Sequence, residues 1–237
     1  MSESDEKVSN SALDFVKVNK KLLIGEFCDI DKFPSHIKPY TIFMAGSPGA
    51  GKTEYSKALI KDLFENDRTL TARIDPDEIR NFIPDSRDHD IEIYKSAVNK
   101  GHEILFDYVQ KHNQNVLIDG TLANIDHARK LIRRALERKR KVGVVYIYQD
   151  PILAWDFTKK REVVENRFVP KDVFVQSFFA SKASVNSLKN EFGANIELTV
   201  VLKNYTNSVE KMNFNVASVD PYLKINYTMG SLLKKIK

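Results

Sequence analysis

The chain has 237 residues, enough to bury one substantial core and too few for two full-sized enzyme domains. Hydrophobic residues make up 42% and charged residues 29%, with a net charge of +5, the balance of a globular protein rather than a disordered or membrane-embedded one. The longest apolar runs, such as Val142–Tyr148, are far too short to span a bilayer, and a single cysteine, Cys28, excludes an internal disulfide and reads as a buried, unreactive thiol.

Residues 1–10 are polar and acidic, with no basic region leading into an apolar stretch. They are expected to form a mobile tail without a secretory signal, and the protein is expected in the cytoplasm. Residues 11–237 read as one domain. Its N-terminal extension, 11–40, holds a helix and a loop broken by Pro34 and Pro39. Strand and helix then alternate. Strands are expected at Thr41–Ala45, Leu70–Ile74, Val116–Ile118, Val142–Tyr148 and Ile196–Leu202. Helices are expected at Lys52–Phe64, 90–112, Asn124–Arg138, 151–166 and 170–191. Apolar strands separated by amphipathic helices predict an α/β fold: a parallel sheet of about five strands, of the P-loop NTPase type, with helices on both faces. From about residue 207 the chain reads as a helix or an extension whose place the pattern does not fix. Ligands of such sheets bind beyond the carboxyl ends of the strands, so the candidate site lies just after residues 45, 74, 118, 148 and 202.

The first strand is followed by Gly46-Ser47-Pro48-Gly49-Ala50-Gly51-Lys52-Thr53, which fits G-x-x-x-x-G-K-[ST]. Glycines let the backbone curl so that successive N–H groups face an anion, and the helix opening at Lys52 adds its positive end. Lys52 supplies a charge for the β- and γ-phosphates of a nucleotide. Thr53 supplies a hydroxyl for Mg²⁺. The loop implies phosphate binding without separating a switch GTPase, a motor ATPase and a kinase.

The second strand ends in Arg73-Ile74-Asp75-Pro76-Asp77-Glu78. A kinase needs a carboxylate to accept the proton of an attacking hydroxyl, and Asp77 is the candidate base, supported by Asp75. The same run also suits an N-cap of a short helix before Ile79-Arg80, and the local sequence leaves both readings open. After the third strand, Asp119-Gly120-Thr121 offers an acid for the metal shell or for a substrate hydrogen bond and a hydroxyl for the acceptor; a plain Asp-Gly turn is the alternative. Glu103, on the long helix, reads on its own as surface. Arg161 and Arg167 suit a lid that closes on phosphates, or equally a charged helix face. Trp155, Phe157, Phe174, Phe178 and Phe179 read as core. Arg129–Lys141 carries an apolar stripe of Leu131, Ile132, Ala135 and Leu136, so its basic residues read as a solvated helix face rather than a surface for nucleic acid or membrane.

In order, GSPGAGKT, IDPDEIR, LIDGT and the pair Arg161 and Arg167 followed by Pro170 resemble the zeta toxin family of P-loop kinases, over about residues 40 to 205. The resemblance implies an ATP- or GTP-dependent, Mg²⁺-dependent phosphotransferase that acts on a hydroxyl of a UDP-activated amino sugar. It also implies a possible small helical antitoxin as partner. Carried over by position, Lys52 and Thr53 are the phosphate-loop lysine and metal-site hydroxyl, and Asp77 is the base. Glu103, Asp119 and Thr121 match positions that bind the sugar nucleotide, and Arg161 and Arg167 match the arginines on the ATP phosphates. Asp75, which supports the base or helps order the metal's waters, is grouped with the substrate-side residues on its local sequence alone. The family's Glu-Gly-Thr with a nearby arginine is here Asp119-Gly120-Thr121-Leu122-Ala123-Asn124, which points to a changed acceptor pocket. Two other readings stay open: a nucleoside, polynucleotide or other small-molecule kinase, and a nucleotide-dependent binding protein that uses the Arg129–Lys141 face.

Overall fold

The computed structural model describes residues 2–67, 69–86, 91–165, 168–206, 208–223 and 227–236, with the backbone alone at 67, 91 and 163–165. The elements run α1 (Glu3–Val18), α2 (Lys20–Phe27), β1 (Tyr40–Ala45), α3 (Lys52–Asp67), β2 (Ala72–Ile74), α4 (Pro76–Phe82), α5 (Ile91–Lys111), β3 (Val116–Ile118), α6 (Ile125–Glu137), β4 (Lys141–Tyr148), α7 (Pro151–Glu165), α8 (Lys171–Phe192), β5 (Ile196–Lys203), β6 (Val209–Asn213) and α9 (Met229–Lys235). The fold is α/β, its strands flanked by helices, and the described residues form six strands rather than about five. The chain divides into two compact units, Met1–Pro39 with Asp62–Ile118 and Tyr40–Lys61 with Asp119–Lys237, where the sequence reads as one domain.

In the first unit, β2 and β3 pair in parallel, Ala72 opposite Val116 and Ile74 opposite Ile118. The N-terminus differs from the sequence reading, because the polar stretch belongs to α1. Ser2 caps the helix by accepting the N–H of Asp5 (3.1 Å), while the Asp5 carboxylate accepts the N–H of Ser2 (2.8 Å). Glu3, Asp5 and Glu6 in the first turn complement the helix dipole. A polar face hides the helical stripe that buries Ala12 and Val16. Phe15 and Phe27 both pack on Phe82, with ring centroids 5.7 and 6.5 Å away. The Gln114 side chain donates to the carbonyls of Cys28 (2.8 Å) and Phe33 (2.6 Å), fastening the loop after α2. The Cys28 thiol is buried, and burial pushes its pKa far up, so it is a packing residue.

In the second unit, β1, β4 and β5 are parallel neighbours, with Ala45 opposite Tyr146 and Val144 opposite Leu198. The sixth strand, β6, pairs antiparallel with β5. It lies in the region the sequence left unplaced, and its residues Val-Glu-Lys-Met-Asn lack a buried face. At the opposite ends of the strands, Arg140 is buried. Its Nε donates to Thr41 Oγ1 and its Nη2 to the Tyr40 carbonyl, both at 2.7 Å, which ties the start of β1 to the start of β4. Burial and the nearby Arg138 lower its pKa to about 10. Leu131, Ile132 and Ala135 of α6 are buried. Trp155 and Phe174 pack edge to face with centroids 5.1 Å apart, and both are buried, as is Phe178. Among the described residues, no helix is long and apolar enough to cross a membrane.

Gly101 tests the packing of the first unit. A methyl there would stand 2.7 Å from Cγ2 of Ile79, with Leu23 and Val16 next nearest, so α1, α2 and α4 converge on α5 at this point. A β-branched side chain on a helix has little rotamer freedom to yield. Gly101→Ala is expected to lower stability in urea by about 1–2 kcal/mol: overpacking outweighs the ~1 kcal/mol that alanine brings to a helix interior. A higher unfolding midpoint would contradict this packing.

Candidate phosphate-binding site

The parallel strands of the second unit all end at the same edge. There β1 runs into residues 46–53. Gly46, Gly49 and Gly51 have φ of +136°, +69° and +81°, which side-chain-bearing residues rarely adopt. Space makes the requirement stricter at two of them. A methyl on Gly46 would lie 2.4 Å from the Ile147 carbonyl oxygen. One on Gly49 would lie 2.0 Å from the Ala154 carbonyl oxygen and 2.5 Å from Thr158 Oγ1. The loop is thus seated directly on the end of β4 and on α7.

Its other anchors include Ser181, a side chain that the sequence reading missed. The Gly46 N–H donates to Ser181 Oγ (2.9 Å) and lies 3.3 Å from the Thr121 carbonyl, which also accepts the Ser181 hydroxyl at 2.5 Å. Ser181 sits in the middle of α8, remote in sequence, and no motif marks it. The Lys52 ammonium donates to the Ser47 carbonyl at 2.7 Å, which keeps it folded over the loop. Thr53 is half-buried in the first turn of α3. One turn on, the buried Ser56 hydroxyl lies 3.0 Å from Asp119 Oδ2 and 2.9 Å from the Thr53 carbonyl. Asp119 is itself buried, so Ser56 couples it to the turn of α3 that carries Thr53. Thr121 is half-buried and its hydroxyl accepts the Ala123 N–H at 3.3 Å, around a Leu122 held at φ +53°.

The Arg161 side chain is half-buried on α7. Ala154, Thr158 and Arg161 follow helical spacing, so Arg161 lies on the face of α7 that meets the phosphate loop. Arg167 falls outside the described residues.

In the first unit, Asp75 is the N-cap of α4. Its Oδ1 accepts the Asp77 N–H at 2.8 Å and its Oδ2 accepts Arg73 Nη2 at 2.5 Å. Arg73 also reaches Glu78 at 2.6 Å. Both oxygens of Asp75 therefore hold the first turn of α4, in which Asp77 stands half-buried. The capping reading and the candidate base are compatible, since the cap fixes where Asp77 begins its turn. Glu103 is exposed and paired with Lys100 at 2.8 Å on the same helix.

The residues fit a nucleotide and its metal. The loop is a cradle that a Cβ would fill, and Lys52 brings the positive charge. The Thr53 hydroxyl and the Asp119 carboxylate are hard oxygen donors of the kind Mg²⁺ takes. Gly49→Ala is expected to weaken binding of a fluorescent ATP analogue at least ~100-fold while far-UV circular dichroism stays native, because the loop has no room to move away from α7. Unchanged affinity would show that the nucleotide binds elsewhere.

Comparison with known proteins bears on the family and the fold. The family model described as Zeta toxin matches residues 26–213, from within α2 to the end of β6. No curated protein matches the chain significantly. Among solved structures, a chain of the PezAT chromosomal toxin-antitoxin system of Streptococcus pneumoniae is similar in fold, with a TM-score of 0.64 at 18% identity, over 100% of this chain and 88% of that one. AvrRxo1-ORF1:-ORF2 with ATP gives a TM-score of 0.62 at 15% identity, over 91% of this chain and 70% of that one. The Pnkp1/Rnl/Hen1 RNA repair complex gives 0.52 at 15% identity, over 78% and 51%. Phosphate loop, parallel strands and a family match over most of the chain lead to one conclusion: the protein belongs to the zeta toxin family and has the fold of its P-loop kinases.

Proposed function

We propose that the chain is an ATP-dependent kinase of the zeta toxin type, which transfers the γ-phosphoryl group to a hydroxyl of a UDP-activated amino sugar. The observation that carries the proposal is the cradle at 46–53, with Asp119 tied through Ser56 to the turn that bears Thr53, in a chain of this family. The AvrRxo1 complex with ATP supports ATP as the donor.

In this reading the loop amides and Lys52 gather the triphosphate. Asp77 accepts the proton of the acceptor hydroxyl as its oxygen bonds to the γ-phosphorus. The bond from that phosphorus to the bridging oxygen breaks, and ADP leaves. Arg161 approaches from α7 to offset charge on the transferring group, and Arg167 would join it. Mg²⁺, held by Thr53 and the Asp119 side, would neutralise phosphate charge when bound. Glu103, Asp119 and Thr121 are assigned to the sugar nucleotide by their match to the family's positions. The shortened acid at 119 and the absence of an arginine at 123 favour a variant acceptor within the same class, another UDP-sugar. Arg129 and Arg133 of α6 pair with Glu191 at 2.7 and 2.6 Å, which supports reading these two residues as part of a solvated helix face rather than as a partner surface. The toxin-antitoxin system of the S. pneumoniae neighbour supports a small antitoxin as partner for this chain. Dependence on ATP and on a nucleotide sugar supports a cytoplasmic location.

Labelled ATP, offered with a panel of UDP-sugars, nucleosides and RNA 5′-hydroxyl ends, tests the reading. Label is expected on a UDP-sugar, and Asp77→Ala and Lys52→Ala are each expected to reduce transfer by about 10³-fold or more. Label only on nucleosides or RNA ends, or on nothing, would overturn the proposal.

A further inference from the structure

The chain after β6 lies beyond the residues the family model matches, yet it is fastened to the second unit at successive points. The Val216 N–H donates to the Leu198 carbonyl and the Val219 N–H to Asn186 Oδ1, both at 2.9 Å. The Asp220 carboxylate accepts from Asn186 Nδ2 (2.6 Å) and Lys182 Nζ (2.8 Å). Val219, Leu232 and Ile236 are buried. These contacts hold the segment to β5 and α8.

One further bond has a different address. The Tyr227 hydroxyl donates to Asp150 Oδ2 at 3.0 Å, and Asp150 stands at the head of α7. The other oxygen, Oδ1, accepts the Ile152 N–H (2.9 Å), the Asp150 carbonyl accepts the Ala154 N–H (2.8 Å), and its own N–H donates to Gln149 Oε1 (2.9 Å). Gln149 in turn donates to the Asn204 carbonyl at 2.8 Å, across the ends of β4 and β5. Asp150 is therefore the joint between the sheet edge, the first turn of α7 and the C-terminal segment. Lys235 of α9 rests over the Tyr227 ring, 5.3 Å from its centroid.

The first turns of α7 are also the wall of the phosphate loop. The carbonyl of Ala154 is the atom that leaves Gly49 no room for a side chain, and Thr158, one turn on, is the next nearest group. A contact this close has no slack. A small movement of the head of α7 either presses on the loop or removes its support. A carboxylate that loses an O–H donor re-solvates or turns, and here it would carry the helix cap with it. Burial and the carboxylate of Asp150 push the Tyr227 hydroxyl up to about 12, so it remains a donor throughout any assay range.

We propose that Tyr227 is a positioning residue for nucleotide binding: through Asp150 it sets the separation between the head of α7 and the loop at 46–53. The C-terminal segment is then part of the machinery that shapes the phosphate site. The inference rests on the kinase reading only for the identity of the ligand, ATP.

The test compares full-length wild type with Tyr227→Phe, Asp150→Asn, their combination, and Asp220→Asn. Affinity for a fluorescent ATP analogue is read together with KM, kcat and melting temperature. Emission of Trp155, the only tryptophan, reports on α7 directly. Tyr227→Phe is expected to raise Kd and KM for ATP about five- to tenfold, to leave kcat at saturation within about twofold, and to alter Trp155 emission. Asp150→Asn should act similarly, and the double variant no more strongly than either single one. Asp220→Asn, which loosens the same segment on α8 only, should lower the melting temperature without changing Kd. Wild-type affinity in Tyr227→Phe would overturn the proposal, as would an equal loss in Asp220→Asn. A wild type that binds ATP but labels no acceptor would remove the kinase reading while the affinity comparison still decides this one.

Discussion

The phosphate loop depends on two missing side chains. Gly46 is pressed against the carbonyl of Ile147 near the end of β4, and Gly49 against the carbonyl of Ala154 in α7. The separations leave no space for even a methyl group, so the path of the loop is dictated by its walls rather than by the loop alone. That constraint has an electrostatic result. Three positive-φ residues let the backbone curl in the manner of loops whose amides face an anion, and the helix that starts at Lys52 adds its positive end in the same place. Two loop amides are engaged within the protein: Ser181 and Thr121 hold that of Gly46, which anchors the loop, and the Ser47 carbonyl accepts that of Ala50 at 3.3 Å.

Around this anchor the acids are arranged by indirect contacts. Asp119 is buried and reaches α3 through Ser56, whose hydroxyl also lies against the Thr53 carbonyl. A buried carboxylate needs such partners to be tolerable, and here one partner is Ser56, one turn beyond Thr53. In the other unit, Arg73 bridges Asp75 and Glu78, and Asp75 caps the helix that carries Asp77. Contacts within the protein thus fix the starting points of the two short stretches on which the proposed chemistry relies.

Much of this was legible in the sequence because its signals are local. The run from Gly46 to Thr53 is contiguous, and the strand Val116–Ile118 and the helix after Lys52 stand where apolar periodicity puts them. Asp75 as an N-cap was readable from Asp-Pro-Asp-Glu alone. What escaped has a common cause: partners far apart in the chain. Ser181 reaches Gly46 across 135 residues, Ser56 reaches Asp119 across 63, and Tyr227 reaches Asp150 across 77. No spacing rule links such pairs. Helix α1 escaped for another reason, since its capping box is made of the same polar residues that suggest a tail. Strand β6 escaped because an exposed edge strand shows no apolar alternation.

The central claim is that the loop at 46–53 holds a triphosphate and that Asp77 serves the hydroxyl that attacks it. A crystal structure with Mg²⁺ and a non-hydrolysable ATP analogue tests this most directly. The account predicts β- and γ-phosphate oxygens against the amides of this loop and the Lys52 ammonium, with the Asp77 carboxylate facing the γ-phosphate across a gap wide enough for a sugar hydroxyl. An analogue bound away from the loop, or an Asp77 carboxylate turned from the γ-phosphate with no space between them, would contradict it.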